Sequence, residues 1–201
     1  PPLNTTARIF HGGLNRTGDL DASGGVDCDD VALFELGLVD PAAVDLAQPD
    51  WPWRIVGDID GNGLLDERDL GQLGQLMPEP WCSLGGAVGG ALGAPTLDGS
   101  GSLEEGTPVS VQLANAQPFG LTWILIGLEE ISSPFLGGTL ITDPIAVVGP
   151  VPASATGTLD LAGSTPAGLL AGQLLYLQFW VEDVTAPFGF AGTNGLKGIA
   201  P

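Results

Sequence analysis

The chain has 201 residues, of which 24 are Asp or Glu and only 5 are Lys or Arg, so its formal net charge is −19. This balance excludes proteins that bind nucleic acids through a basic surface, and it disfavours adsorption to anionic membranes. Gly (32) and Pro (17) are abundant, yet 44% of the residues are hydrophobic. That combination predicts a folded chain of short β-strands separated by turns, and not a disordered one.

Residues 1–16 are predicted to form an extended N-terminal arm. The segment Pro2–Phe10 contains three β-branched residues, which favour extended backbone. Two Asn-x-Thr sequons begin at Asn4 and Asn15 and are candidate glycosylation sites. Together with paired cysteines and a low Lys content, these sequons predict a secreted, extracellular glycoprotein.

An acidic internal repeat follows the arm. Residues 19–30 align with residues 58–69, with oxygen-bearing side chains at loop positions 1, 3, 5, 9 and 12, Gly at position 6 and an aliphatic residue at position 8. Ca²⁺ takes six to eight oxygen ligands, and a loop that curls around the ion presents alternate residues to it. We therefore predict two calcium sites; the alternative is a pair of Asp/Gly-rich surface turns that bind no metal. The predicted ligands are Asp19, Asp21, Ser23, Gly25, Asp27 and Asp30 in the first loop, and Asp58, Asp60, Asn62, Leu64, Asp66 and Asp69 in the second.

A calcium loop closed by Asp at position 12 and followed by one helix, present twice over residues 17–82, resembles the dockerin family of tandem calcium-binding repeats. The resemblance implies a helix after each loop, over Asp29–Leu38 and Glu67–Met77, and no helix before either loop. It also implies a cohesin module of a scaffold protein as the partner.

The two cysteines of the chain bracket this repeat. Cys28 lies at position 10 of the first loop, and Cys82 follows the second predicted helix. We predict a disulfide between them; the alternative is two buried free thiols. A zinc site is not expected, because the chain has a single His and no CxxC motif.

The rest of the chain predicts a β-module. Residues 85–94 are Gly-rich and indicate a linker or a tightly packed backbone crossing. After them, short apolar runs bounded by turn residues predict an antiparallel sandwich, which resembles small modules of large secreted bacterial proteins. Trp123 and Trp180 are candidates for a carbohydrate-stacking platform, with an aromatic sandwich core as the alternative. The predicted strands are Pro108–Ala114, Leu121–Leu128, Thr139–Val148, Gly157–Leu161, Leu174–Asp183 and Gly195–Ala200.

The predicted fold class is therefore an α+β multidomain chain, in which a small dockerin-like calcium-loop and helix pair is joined to an all-β antiparallel sandwich. Its predicted domains are the arm (1–16), the double calcium-loop domain (17–84), the Gly-rich linker (85–94) and the β-sandwich (95–201).

No catalytic motif stands out, so the sequence predicts that the chain is not an enzyme. The single histidine, His11, is far from any GxSxG motif, and the adjacent pairs Glu104-Glu105 and Glu129-Glu130 are poor acid/base dyads, since neighbours in a strand point to opposite faces.

The predicted function is that of an extracellular structural protein stabilised by two Ca²⁺ ions, such as a self-assembling fibre or surface-layer subunit whose arm adds as a strand to another copy. Loop positions 10 and 11 are Cys28-Asp29 and Glu67-Arg68, unlike the small hydroxyl or aliphatic residues with which dockerins recognise cohesins, and this difference favours self-assembly. The alternatives are a cellulosome-type dockerin adaptor that binds a cohesin scaffold, and a carbohydrate-binding module.

Overall fold

The computed structural model describes residues 17–201, and its contacts divide the chain into two compact units, Pro1–Leu65 and Asp66–Pro201. The predicted arm and both sequons, at Asn4 and Asn15, lie outside the described residues. The predicted domain bounds remain predictions, and the two units are described separately below.

Within residues 17–65, the first unit contains three short helices: α1 (Cys28–Val39), α2 (Pro41–Ala47) and α3 (Trp53–Gly57). Helix α1 begins after Asp27, whose side chain caps it, and the predicted helix over Asp29–Leu38 lies within it. Asp40 ends α1 and caps α2 through the N–H of Ala43, and Pro41 supplies a preset backbone angle for the first turn of α2.

Helix α3 corrects one sequence-based expectation. The segment before Asp58 was expected to be non-helical, but Trp53–Gly57 forms a helical turn directly in front of the second loop. The carbonyl of Pro52 accepts hydrogen bonds from the N–H groups of Ile55 and Val56, at 2.8 and 3.2 Å. Proline is tolerated at this end of a helix because its missing N–H is not needed there. The core of this unit consists of Leu20, Val31, Phe34, Val44, Trp53 and Val56.

The second unit contains helix α4 (Glu67–Leu76), which agrees with the predicted helix Glu67–Met77, and nine strands within residues 66–201. Each of the six predicted strands corresponds to one of these, and β1, β2 and β8 were not predicted. The strands are β1 (Trp81–Gly85), β2 (Thr96–Gly101), β3 (Pro108–Ala114), β4 (Leu121–Phe135), β5 (Gly138–Pro152), β6 (Leu159–Ser164), β7 (Leu174–Glu182), β8 (Phe190–Gly192) and β9 (Gly195–Ile199).

The strands form two antiparallel sheets. One has the order β1-β9-β7-β4-β5, with β8 paired to β7, and the other has the order β2-β3-β6. Alternate residues of both sheets enter one hydrophobic core, as the alternation of side chains along a strand requires. The chain is therefore α+β and contains an antiparallel β-sandwich, as predicted; its dockerin-like part remains a prediction. The sandwich core includes Leu97, Leu113, Ile124, Phe179, Val181 and Leu196.

Helix α4 packs closely against the sandwich through two glycines. A Cβ atom at Gly71 would lie 2.7 Å from the backbone nitrogen of Gly172, and one at Gly74 would lie 3.0 Å from a methyl carbon of Ile199. Any larger residue at Gly71 would push the helix away from the backbone beside it.

The Gly-rich segment 85–94 lies within the second unit. Val88 forms an antiparallel bridge with Gly192, and the N–H of Ala91 donates a hydrogen bond of 2.7 Å to the carboxylate of Asp183. Backbone and side-chain hydrogen bonds thus attach this segment to the end of β7 and to β8.

Candidate metal-binding loops

The first acidic loop is wrapped around one buried carboxylate. Asp30, in the first turn of α1, is fully buried and accepts hydrogen bonds from the backbone N–H groups of Leu20 (2.6 Å), Asp21 (3.1 Å) and Asp27 (2.8 Å). Asp19, Asp21 and Asp30 each place a carboxylate oxygen within 4.8 Å of the other two. The loop therefore gathers three anionic oxygens at one point.

The second loop repeats this arrangement. Asp58, Asp60 and Asp69 also bring one carboxylate oxygen each within 4.8 Å of one another. Asp69, in the first turn of α4, is fully buried like Asp30, and it accepts a hydrogen bond of 3.1 Å from the N–H of Asp66. The two acidic clusters could each hold a metal ion.

Glycine at position 6 makes the sharp turn in both loops. Gly24 and Gly63 have φ angles of +97° and +86°, a region that side chains strongly disfavour. In this conformation the N–H of Gly24 donates to Oδ2 of Asp19 at 3.1 Å, and the N–H of Gly63 donates to Oδ2 of Asp58 at 2.9 Å. The turn thereby fixes the carboxylate at position 1.

The other oxygen of that carboxylate, Oδ1, lies in a different environment. Oδ1 of Asp19 and Oδ1 of Asp58 are both buried, and neither has a hydrogen-bond partner among the described residues. An unpaired carboxylate oxygen away from water is costly, whereas a cation satisfies it directly. Because the same atom is left unpaired in both loops, this donor set fits a hard cation that binds oxygen.

Crowding of the carboxylates also affects their protonation. Burial raises the pKa of Asp30, and the charge of Asp21 acts in the same direction, although three backbone N–H groups oppose the shift. At Asp21, burial acts to raise the pKa, but hydrogen bonds from the backbone and side chain of Ser23 outweigh it, so the pKa is lowered. A bound cation would favour the ionised form of both groups.

The predicted carboxylate at position 9 of each loop has a different role in the structure. Asp27 and Asp66 are the N-caps of α1 and α4, and each accepts a hydrogen bond of 2.9 Å from the N–H two residues later. Each also forms a capping box with the carboxylate at position 12, Asp30 or Asp69. Neither belongs to the three-carboxylate clusters.

The predicted ligands without a charge line the exposed side of the loops. Ser23 and Asn62, both at position 5, donate their N–H groups to Asp21 and Asp60, at 2.8 and 2.9 Å. The amide oxygen of Asn62 accepts a hydrogen bond of 2.7 Å from the N–H of Leu64. Leu64 is exposed, and Gly25, its counterpart at position 7, is half-buried.

The predicted disulfide is confirmed, since both cysteines are disulfide-bonded and the chain contains only two. Cys28 is the first residue of α1, directly after the N-cap of that helix, and Cys82 is buried in β1. One end of the bridge is therefore next to the first acidic loop.

The two tryptophans of the predicted carbohydrate platform line an apolar cavity of about 370 Å³. Trp180 is only 2% exposed and meets Phe135 edge-to-face at 5.1 Å, while Trp123 meets Phe190 at 5.5 Å. A ring as buried as Trp180 cannot stack on a sugar, so the core interpretation fits this residue better. The sequence gives no signal that connects Phe135 or Phe190 with the tryptophans, because these phenylalanines lie in a distant hairpin and a short strand.

A charged contact of the first unit was also not foreseen. The carboxylate of Asp45 accepts hydrogen bonds from both terminal nitrogens of Arg54 and from the indole N–H of Trp53. The guanidinium also lies 4.4 Å from the centre of the Trp53 ring. The hydrogen bond from Arg54 is the main cause that lowers the pKa of Asp45. No pattern in the sequence pairs these residues, since they lie in different helices.

No family model and no curated protein matches this chain. Among solved structures, it is similar to a superoxide reductase (neelaredoxin) from Ignicoccus hospitalis, with 13% sequence identity, a TM-score of 0.28, and coverage of 53% of this chain and 78% of that one. Because that protein is an enzyme, the match contradicts the sequence-based prediction that this chain is not an enzyme, and we withdraw that prediction. A TM-score this low carries no argument about which reaction, substrate or metal belongs to this chain. Within residues 17–201, no helix is both long and apolar enough to cross a membrane.

Proposed function

We propose that this chain is an extracellular structural protein whose two acidic loops each bind one Ca²⁺ ion in the manner of a dockerin repeat. The observation that carries the proposal is the buried Oδ1 of Asp19 and of Asp58, neither of which has a hydrogen-bond partner in the part of the chain that the structure describes. Asp19 and Asp58 each belong to a cluster of three carboxylates whose oxygens lie within 4.8 Å of one another. Carboxylates and carbonyls are ligands typical of Ca²⁺.

The ion would supply positive charge to each cluster. Without it, three carboxylates within 4.8 Å repel one another, and the fold must overcome this repulsion. With it, the same carboxylates hold the start of α1 and α4, because Asp30 and Asp69 belong both to the clusters and to the capping boxes. Calcium binding and folding of the loops are therefore coupled.

The proposed setting is extracellular. The disulfide supports this location, since disulfides persist in oxidising compartments. Millimolar Ca²⁺ outside cells also matches the weaker class of calcium-binding modules.

The proposed role is assembly, with the N-terminal arm of one copy adding as a strand to another copy. It is tested by light scattering and negative-stain imaging of the protein in calcium buffer, before and after removal of residues 1–12. Polymers that form with the arm and disappear without it support this role. A one-to-one complex with a separate scaffold protein would support the dockerin-adaptor alternative instead, and a monomer that binds an immobilised glycan would support the carbohydrate-binding alternative.

A further inference from the structure

The strand orders of the two sheets end at β1 and β5 and at β2 and β6, and two of these four strands are poorly suited to pairing with another strand. Strand β5 contains Pro144, Pro150 and Pro152, which have no N–H to donate, and its register with β4 shifts at four places. Strand β1 is only five residues long, with a register shift between Ser83 and Gly85. Short length, prolines and bulges all block edge-to-edge pairing.

Side chains occupy the edge of a third strand, β2. Asn194 acts there like a neighbouring strand: its amide oxygen accepts the N–H of Leu97 at 2.8 Å, and its NH₂ group donates to the Leu97 carbonyl at 2.9 Å. At the end of β2, Gly101 donates its N–H to Glu79 and accepts a hydrogen bond from the indole of Trp81. This edge is therefore already covered.

The outer side of β6, which we call the open edge, differs from the other three. The N–H of Thr165 donates to the carbonyl of Thr107 at 2.9 Å, and the next pair, Pro108 with Ser164, cannot exchange hydrogen bonds through the proline nitrogen. Hydrogen-bonded and non-hydrogen-bonded pairs alternate along an antiparallel ladder. The N–H and C=O groups of Asp160, Ala162 and Ser164 therefore point away from β3. Among the described residues, no strand and no side chain bonds to them.

An apolar cleft, which we call the side cleft, opens beneath the open edge. Its volume of about 230 Å³ is several times the share of one water molecule, about 30 Å³, so it has room for side chains. Val109, Ile126 and Leu161 are only partly buried there, although they pack against the sandwich core. A Cβ atom added at Gly163, which also lines the cleft, would meet no atom within 4 Å. The sandwich is thus open at this edge, where a further strand would cover it.

The sequence of the N-terminal arm matches such a site. Leu3, Thr5, Ala7 and Ile9 alternate along it, so an extended backbone would place their apolar groups on one face. Residues 1–16 carry Arg8 and Arg16 and no acid, a charge of +2, which leaves −21 for the rest of the chain (−19 − 2). The open edge itself carries the exposed carboxylate of Asp160.

We infer that the open edge of β6 is the acceptor for the N-terminal arm of a second copy, which adds there as a strand and inserts its apolar face into the side cleft. This inference rests on the proposed assembly function and names the acceptor within it. Main-chain hydrogen bonds to Asp160, Ala162 and Ser164 would supply affinity, and the apolar residues of the arm would set the register.

The test uses a fluorescent peptide of residues 1–12 and the protein that lacks these residues. We expect saturable one-to-one binding in fluorescence anisotropy. Hydrogen exchange in the complex should slow at residues 159–164. A peptide with Ile9→Asp should bind at least about tenfold more weakly, because a charge cannot enter the apolar cleft. Absence of binding, or protection confined to the β5 edge at residues 145–148, would overturn the inference.

A substitution in β6 tests the acceptor strand without any change to the peptide. Ala162→Pro removes an outward N–H while sparing the hydrogen bonds to β3, so it should weaken peptide binding at least about tenfold with an unchanged unfolding midpoint. The matched control is Ala155→Pro, at an exposed turn position where proline is tolerated. Equal affinity in the two variants would count against β6.

The two proposals fail in distinguishable ways. If removal of residues 1–12 leaves the polymers intact, the arm has no part in assembly and the proposed role itself fails. If removal of the arm abolishes polymers but Ala162→Pro protein, shown to be folded, still assembles, the role stands and the acceptor is not β6.

Discussion

Asp19 and Asp58 occupy the same position in two loops and are bound in the same way. Each directs Oδ2 to the N–H of the glycine five residues later, at 3.1 and 2.9 Å, and each has a buried Oδ1 without a hydrogen-bond partner within residues 17–201. One hydrogen bond from the glycine N–H to Oδ2 is enough to close the turn. Closing the turn does not require the second oxygen, Oδ1, to be buried. The repetition of this feature supports the proposal that the second oxygen binds a cation.

Substitution of these two residues should remove the sites one at a time. Asp19→Asn and Asp58→Asn keep the size of the side chain but remove one negative charge each, so each variant should lose at least about 10- to 100-fold in calcium affinity at one site. Isothermal titration calorimetry would measure this loss. Asp98→Asn, an exposed carboxylate on β2, is the matched control and should leave both sites unchanged. Equal affinities in all three variants would contradict the assignment of Asp19 and Asp58 as ligands.

Removal of calcium should destabilise the acidic loops more than the β-sandwich. At a free concentration 100 times the dissociation constant, a bound ligand adds about 2.7 kcal/mol to the free energy of unfolding. We expect EDTA to accelerate hydrogen exchange at residues 19–30 and 58–69, while β4 and β7 stay protected by their own ladder and core. The double variant Asp19→Asn/Asp58→Asn should respond little to EDTA. An EDTA effect of equal size in that variant would assign the effect to another site.

The disulfide should stabilise the chain appreciably. It closes a loop of about 54 residues, for which the chain-entropy model gives about 4 kcal/mol. Replacement of both cysteines by serine should lower the free energy of unfolding in urea by up to about this amount, with calcium held constant. A double variant as stable as the parent protein would show that the bridge adds nothing to stability.

Loops, helices and strands differ in how far the sequence could predict them. The acidic loops and the helices after them were predictable, because ligand spacing and helix caps are local signals. Strand β2 was not, since its sequence Thr-Leu-Asp-Gly-Ser-Gly is mostly polar and its edge is bound by Asn194, almost one hundred residues away. The burial of Oδ1 of Asp19 was likewise not predictable from the sequence, because burial of one atom depends on how the whole loop packs.

The contact between Asp45 and Arg54 predicts how the ionisation of Asp45 depends on pH. Hydrogen bonds from Arg54 lower the pKa of Asp45 from its ordinary value of 3.8. A carboxyl with a lowered folded-state pKa stabilises the fold above its unfolded pKa, and this contribution is lost as the pH falls through the lower folded value. A carbon-detected NMR titration should therefore find Asp45 still ionised at pH 3.8 in the native protein. In Arg54→Gln protein its midpoint should rise towards the ordinary value; an unchanged midpoint would rule out the guanidinium as the cause.

Calcium binding by the unaltered protein tests the two proposed calcium sites most directly. Equilibrium dialysis against ⁴⁵Ca²⁺ at millimolar calcium and physiological ionic strength should give two ions per chain, one for each acidic cluster. If the protein binds no calcium under these conditions, and its thermal unfolding is the same in calcium and in EDTA, the two acidic loops are not calcium sites.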